Sequence, residues 1–379
     1  MASTKGTYTL LNQATIEVKT KQMLIDKTKD LKNFCHLIKG STFLAIDTEF
    51  IREKTYYPIL CLIQVSNGKH SACIDTLKID NLSALNDIIY DKNVTKIFHS
   101  GFQDIEILFQ KNHKIPFPVF DTQLAAAFDG IGEQIGYADL VYKICNIELD
   151  KSQCRTQWDK RPLTQKQIEY AIADVTHLVT LYQSLTQSLD EKNKLEWLIQ
   201  DLDELFTKDR LLANEVESWK KIHGSNRLSG KHHIAIKNLS LWRENKAKQL
   251  NLPRKWVLKN DLILAIAQQM PNNESQLKQI NHFSENLVKK YGNEIIQIID
   301  HVNKLENSDD HSMTENFKLS ESQSELLNEM AVKIQNISAD QKIPSSLLAT
   351  KKQLRKFISG EKNLNLLKGW RHELFGKEL

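Results

Sequence analysis

Asp47 and Glu49 stand two residues apart in "FLAIDTEF", where an apolar run rich in strand formers ends. A strand alternates faces at every residue, so the two carboxylates share one face. They fall at the strand's end, where open α/β sheets bind ligands. Asp104 opens a helix after the strand "KIFHS", and Asp174 lies in "EYAIADVTHL", bordering an apolar helical stripe. Tyr170 precedes Asp174 by four residues, so hydroxyl and carboxylate project from one side of that helix. Each acid alone has a plain reading, as a solvated strand end or as a helix N-terminal charge that complements the dipole. Brought together they repel, and an unpaired carboxylate beside a buried face is costly. Divalent cations resolve that repulsion. Mg²⁺ and Mn²⁺ prefer oxygen ligands, and two such ions about 3.5–4 Å apart can hold the attacking and leaving oxygens of an in-line phosphoryl displacement.

The elements that must position these residues can be read from periodicity. "KDLKNFCHLIKG" is a helix stopped by Gly40. "ILCLIQVS" and "HSACID" are strands that follow "TFLAIDTEF", with Asn67-Gly68 as a hairpin turn between them. "NLSALNDIIYD" is a helix, "NVTKIFHS" a strand, "GFQDIEILFQKNH" a helix, "PFPVFD" a short strand and "TQLAAAFDG" a helix closed by Gly130. A long amphipathic helix follows from "TQKQIEYAIADV", its stripe formed by Ile168, Ala171, Ile172, Val175, Leu178, Val179 and Tyr182. Helices and strands alternating after an antiparallel start predict an α/β domain with a mixed sheet, ending near Asn193. Beyond it the pattern is helical. "LSLWRENKAKQLNLPRKWVLKNDLILAIAQQMP" reads as two helices joined at Asn251-Leu252-Pro253, and "LLNEMAVKIQNISADQKIPSSLLATKKQLRKFISG" repeats that helix, Pro, helix order. The predicted segments are a polar N-terminal extension over 1–22, the α/β domain over 23–193, a helical domain over 208–291 and a degenerate second copy over 300–379. The polar insert near Asp309 to Ser324 blurs the last boundary.

A chain of 379 residues accommodates two or three domains. Its 41% hydrophobic and 26% charged residues are those of a soluble globular protein. No apolar run is long enough to span a membrane, and the N-terminus has no signal-peptide core, which predicts a soluble, cytoplasmic protein. Five cysteines, none in a C-x-x-C pair, read as small buried hydrophobes rather than disulfides or metal ligands. A net charge of +4 permits nucleic-acid binding without demanding it.

"IDTEF", "FHSGFQDIEIL" and "YAIADV" resemble the three exonuclease motifs of the DEDD superfamily, in the version with Tyr four residues before the last Asp. "DTEFIREKTYYPILCLIQVS", "FDTQLAAAFDGIGEQIGYADLV" and "LDKSQCRTQWDKRPLTQKQIEYAIADV" narrow the likeness to the ribonuclease D family, over roughly residues 23 to 190. The following helical unit resembles an HRDC domain. The resemblance implies an RNase H-like nuclease fold and 3′-to-5′ exonucleolysis with two divalent cations, Mg²⁺ or Mn²⁺. It implies Asp47, Glu49, Asp104 and Asp174 as metal ligands and Tyr170 as the group that orients or deprotonates the attacking water. Positioning is the easier of those two roles, because an ordinary phenol has a pKa of about 10. The implied substrate is RNA, the 3′ ends of tRNA precursors above all, acted on by a monomer. One departure from the family is Gln157-Trp158-Asp159, where many relatives carry Asp before the Trp; none of the four ligands is touched by it.

Other residues have two readings each. His99 fits a contact to phosphate or metal-bound water, and equally a strand-end imidazole bonded to backbone. Gln103 adjoins Asp104 and is a weaker substrate contact of the same kind. Arg155 and Arg161 flank Trp158, as phosphate and base contacts or as surface charge. Tyr56 and Tyr57 fit a turn and core, or a terminal base. Arg243, Lys246, Arg254, Lys255 and Trp256 fit an RNA-binding face of the helical unit, with Trp256 alternatively in its core. Two rival functions remain open: a proofreading-type DNA exonuclease, disfavoured by the HRDC-like tail, and a catalytically dead RNA-binding adaptor, disfavoured by the complete acid set.

Overall fold

The computed structural model describes residues 23–150, 156–305 and 319–378. The expected N-terminal extension, Cys154, Arg155 and residues 309–318 of the polar insert lie outside them. Six strands, β1 (Met23–Ile25), β2 (Phe43–Ile51), β3 (Ile59–Ser66), β4 (Ser71–Asp75), β5 (Thr95–Phe98) and β6 (Val119–Asp121), form one mixed sheet in the order β1-β4-β3-β2-β5-β6. β2, β3 and β4 are the antiparallel meander; β1, β5 and β6 join in parallel. The hairpin between β3 and β4 turns at Gly68, whose φ of +86° disfavours any residue with a Cβ. Asn67 Oδ1 closes that turn by accepting from the Lys69 and His70 amides.

Six helices complete this domain: α1 (Thr28–Ile38), α2 (Ser83–Ile89), α3 (Phe102–Asn112), α4 (Thr122–Asp129), α5 (Tyr137–Cys145) and α6 (Gln165–Glu191). α6 starts at a capping box in which Thr164 and Gln167 bond reciprocally. Its apolar stripe, including Ala171, Ile172, Val175, Leu178 and Val179, is buried, and the helix packs on β2, β3 and β4. α7 (Leu195–Leu205) and α8 (Lys208–Val216) lead to a helical unit of α9 (Gly230–Leu250), α10 (Arg254–Val257), α11 (Asn260–Gln269), α12 (Glu274–Gln279) and α13 (Glu285–Lys304). A second unit holds α14 (Glu321–Gln341), α15 (Ser345–Leu348), α16 (Lys351–Ile358) and α17 (Gly369–Leu374). No helix among the described residues is long and apolar enough to cross a membrane.

The two helical units follow the same backbone course at one constant sequence offset. Asn251 (φ 48, ψ 43) and Lys342 (φ 52, ψ 45) each end a 21-residue helix in the left-handed region. Pro253 and Pro344 then open four-residue helices with ψ of 138 and 137. Leu258 and Ala349 close those helices in extended conformations, φ −156 and −159. The copies diverge later: the first ends in a 20-residue helix and the second in one of 6.

Both units dock on the α/β domain through that shared turn, by different chemistry. In the first, Asn251 Oδ1 accepts from the Tyr57 amide at 3.2 Å, and the Arg254 guanidinium lies 4.9 Å over the Tyr56 ring. Tyr56 is buried in the first unit's own hydrophobic core. In the second, Lys194 donates to Gln341 O at 2.6 Å and Ser346 to Glu133 at 2.6 Å. There Trp370 stacks on Trp197 and meets Phe128 edge-on, so that this unit shares one continuous core with the sheet.

Candidate active site

The carboxylates converge where β2, α3 and α6 meet. Donor oxygens of Asp47, Glu49 and Asp174 all lie within 4.8 Å of one another. β2 presents the first two on one face, and its register slips between Glu49 and Phe50, directly after the second acid. Such a bulge re-aims the residues at a strand end. α6 lies across that face and brings Asp174 down onto it. Asp104 enters from α3 and is buried beside them, its carboxylate accepting from the Thr48 hydroxyl. Asp121 fixes where α3 starts: its side chain accepts from the Ser100 and Gly101 amides at 3.2 and 2.8 Å and also caps α4.

Burial raises every one of these acids, and repulsion from the others adds to it at Asp47 and Glu49. Burial, then the charges of Asp104, Asp174 and Glu49, holds Asp47 well above the carboxylate range. Burial with Asp174 and Asp104 nearby pushes Glu49 up to about 9. Burial lifts Asp174 to about 7 against the opposing hydrogen bond from Tyr170, and lifts Asp104 to about 6 against that from Thr48. No arginine or lysine is paired with Asp47, Glu49, Asp104 or Asp174 in any ion pair among the described residues. A crowded set of oxygen donors with no cation from the chain matches the ligand preference of a hard divalent metal. The residues therefore fit that group.

Asp47 and Asp174 floor a cavity of about 550 Å³, within the usual size range of small-molecule sites. Asp47, Asp174 and Tyr170 line its polar end; Tyr137, Leu149 and Leu178 give it an apolar wall. Lys166, Tyr170, Asp174 and Leu178 succeed one another at intervals of four along α6, so one helix face forms that side of the cavity. Lys166 is exposed at this face. That spacing was available to find Lys166, whereas Thr48 and Tyr137 reach the site only through tertiary packing. The Tyr137 hydroxyl donates to Ala173 O on α6 at 2.9 Å, tying α5 to the helix that carries Tyr170 and Asp174.

The remaining expected residues have distinct placements. His99 lines the cavity, but both ring nitrogens are engaged inside the protein, with Thr122 Oγ1 at 2.9 Å and Ile135 O at 3.1 Å. Burial lowers its pKa, so the neutral ring is a wall of the cavity. Gln103 is exposed on α3 beside Asp104. Arg161 is spent within the fold rather than on a ligand. Its Nε and Nη2 grip the fully buried Asp75 at 2.6 and 2.7 Å, and its Nη1 donates to Trp158 O and Lys160 O. Arg155 lies outside the described residues. In the first helical unit, Arg243 is buried on Leu258 O and Asn260, Lys246 pairs with Glu294 and Arg254 with Glu244, leaving Lys255 and Trp256 exposed. Tyr56 faces that unit instead of the cavity.

Mixed sheet, crossing helix and acid cluster define the class of 3′-to-5′ exonucleases, and residues 22–190 match the family model described as "3'-5' exonuclease". Residues 235–299 match the HRDC domain model. The chain is 32% identical to Ribonuclease D of Bartonella henselae over 94% of this chain and 88% of that one. It is 33% identical to Ribonuclease D of Zymomonas mobilis over 94% and 92%. The crystal structure of Escherichia coli RNase D, titled an exoribonuclease involved in structured RNA processing, superposes with a TM-score of 0.82 at 27% identity, covering 94% of this chain and 96% of that one. This chain belongs to the ribonuclease D family and is a 3′-to-5′ exoribonuclease.

Proposed function

We propose that this chain trims structured RNA, precursor tRNA in particular, one nucleotide at a time from the 3′ end, as a cytoplasmic monomer. The observation that carries the reading is the meeting of Asp47, Glu49 and Asp174 within 4.8 Å at a nucleotide-sized cavity that Asp47 and Asp174 line. In it, Asp47, Glu49, Asp104 and Asp174 hold two divalent cations, Mg²⁺ or Mn²⁺. When bound, the cations supply the positive charge that lets a phosphodiester rest on an acidic floor, and they make water a competent nucleophile at neutral pH. The chain's own residues do the rest. The wall of Tyr137, Leu149 and Leu178 accepts the terminal base or sugar, and Lys166 faces the polyanion at the mouth. Tyr170, held by its hydrogen bond to Asp174, orients the attacking water. Attack at phosphorus breaks the bond to the 3′ oxygen of the preceding nucleotide, so a nucleoside 5′-monophosphate leaves and a new 3′-hydroxyl remains.

The repeated helix, Pro, helix course supports reading the chain as nuclease domain (23–193), HRDC domain and degenerate second HRDC-like copy. The expected bounds of 208–291 and 300–379 cut α13, so the first helical domain is drawn to the end of α13 at Lys304 and the second after it. The test is a time course on a 5′-labelled tRNA precursor with a 3′ trailer, in Mn²⁺, Mg²⁺ or EDTA. The expected result is a metal-dependent ladder that shortens from the 3′ end and stops near the mature stem. Asp174→Ala should abolish cleavage, by more than ~10³-fold, while RNA binding stays within a few-fold. Full activity in that variant would sink the assignment.

A further inference from the structure

Gln64 sits in the middle of β3, fully buried, and neither its amide nitrogen nor its carbonyl oxygen has a hydrogen-bond partner. A buried carboxamide left unpaired is costly, so its presence calls for a use. The strand register shows which neighbour it has. Gln64 pairs directly with Asp47 on β2 and with Cys73 on β4, so the three side chains share one face of the sheet. Directly opposed side chains on antiparallel strands have Cβ atoms about 4.5–5.5 Å apart, a gap that a glutamine carboxamide spans. Of the other polar groups on that face, Glu49 opposes Leu62 and so sits diagonally from Gln64, and the rest are committed elsewhere. Cys73 Sγ contacts Ile168 O at 4.0 Å, Ser66 accepts from Ser71, and Asp75 is held by Arg161. Above the row, α6 contributes Ala171 and Ile172, which pack with Leu62 and Cys73. Asp47, directly opposite, is thus the nearest uncommitted partner.

We propose that Gln64 is a positioning residue for Asp47: its carboxamide, unpaired in the metal-free chain, donates to the Asp47 carboxylate when the cations are bound and holds it in their coordination. This rests on the metal-dependent reading of the site. A ligand's supporting hydrogen bond tunes metal affinity without touching the metal, and its loss typically lowers affinity by about 10- to 100-fold. The same side chain is a burden to the metal-free fold, because its amide dipole is buried unpaired. Gln64→Met has nearly the same volume and no hydrogen-bonding group.

The experiment measures Mn²⁺ affinity by calorimetry, and metal-free thermal unfolding, for the full-length protein, Gln64→Met, Asp47→Asn and the double variant. Gln64→Met is expected to unfold about 2–4 °C higher without metal, bind Mn²⁺ at least ~10-fold more weakly, and add little to the loss already caused by Asp47→Asn. Unchanged Mn²⁺ affinity in Gln64→Met overturns the proposal, as does a metal-free unfolding temperature below that of the unsubstituted chain, which would make Gln64 a support of the fold. Failure of the metal reading looks different: the unsubstituted chain itself would bind no Mn²⁺, and Asp47→Asn would change nothing.

Discussion

Two of the places where this protein buries carboxylates contrast sharply, because the chain supplies a cation at one of them and none at the other. At the junction with the first helical unit, Glu244 is fully buried on α9. Arg254 donates to its Oε2 from Nε at 2.6 Å, and the Tyr56 hydroxyl adds a further hydrogen bond. Lys248 and Glu215 form a second pair at the edge of the same cluster. At the candidate site Asp47, Glu49 and Asp174 lie within 4.8 Å of one another and are all raised. Both arrangements remove negative charge from water. One is closed, with its cations supplied by the sequence; the other is open and is completed from solution. The contrast turns a cluster of acids into an argument for metal: a structural cluster has its counter-charge built in, as Glu244 does.

The largest way to break that comparison is to open the closed cluster. Glu244→Ala leaves Arg254 and the Tyr56 hydroxyl without their shared partner, at a cost of roughly 3 kcal/mol for one member of a buried pair whose other member still reaches water. Hydrogen exchange should show α9 and α10 protected far less than in the unsubstituted chain, with the sheet unchanged. Replacing the trio together, Tyr56→Phe, Glu244→Leu and Arg254→Met, should recover most of that loss, because the charges themselves contribute little once none is left unpaired. The same operation on the open cluster has the opposite sign. Asp174→Asn removes one of several repelling groups, so the metal-free protein should gain about 1 kcal/mol while activity is lost, a trade expected where a site is built against stability. Chemical unfolding in EDTA checks it, and a destabilised Asp174→Asn would mean the acids are held by contacts that this comparison leaves out.

The acids of the candidate site were legible in sequence because strand ends and helix faces are local properties. Asp47 and Glu49 share a face by alternation, and Tyr170 and Asp174 share one by helical spacing; only their meeting needed the fold. The mixed sheet and the repeated helical unit were legible for the same reason, since the Pro after each long helix marks the turn. What escaped depends on non-local partners. α5 has no side-chain cap and buries just Leu140 and Val141, too weak a pattern to stand out. Arg161 was left between a ligand contact and surface charge, and Arg243 and Arg254 fitted an RNA-binding face, because periodicity treats a charge as a surface residue. Each is instead matched across the fold, to Asn260, Glu244 and Asp75, at separations in sequence that no spacing rule connects. Gln64 escaped for the opposite reason, since "LCLIQVS" is apolar enough to be read as a strand without asking what its one amide does.

The comparison sharpens further with pH. A carboxyl group whose folded pKa exceeds its unfolded value of about 4 keeps, in the folded chain, a proton that the unfolded chain has released. Below that value both states are protonated and nothing is gained or lost. Above it the folded state binds more protons, so stability declines as pH rises, through about 6 for Asp104, about 7 for Asp174 and about 9 for Glu49. The metal-free protein should therefore unfold at lower temperature at pH 8 than at pH 6. Cations reverse the trend, because only the deprotonated oxygens bind them and binding expels the protons. Each proton expelled strengthens apparent metal affinity by up to about 1.4 kcal/mol per pH unit. The rise in unfolding temperature on adding Mn²⁺ should accordingly be larger at pH 8 than at pH 6, and calorimetry in buffers of different ionisation enthalpy should register the released protons. Glu244 and Arg254 lie in a separate cluster on the first helical unit, so Glu244→Ala should leave the pH dependence of the Mn²⁺ effect as it was. A pH-independent Mn²⁺ effect in the unsubstituted chain would show that the floor is already charged before the cations arrive, and would erase the difference between the two acidic places.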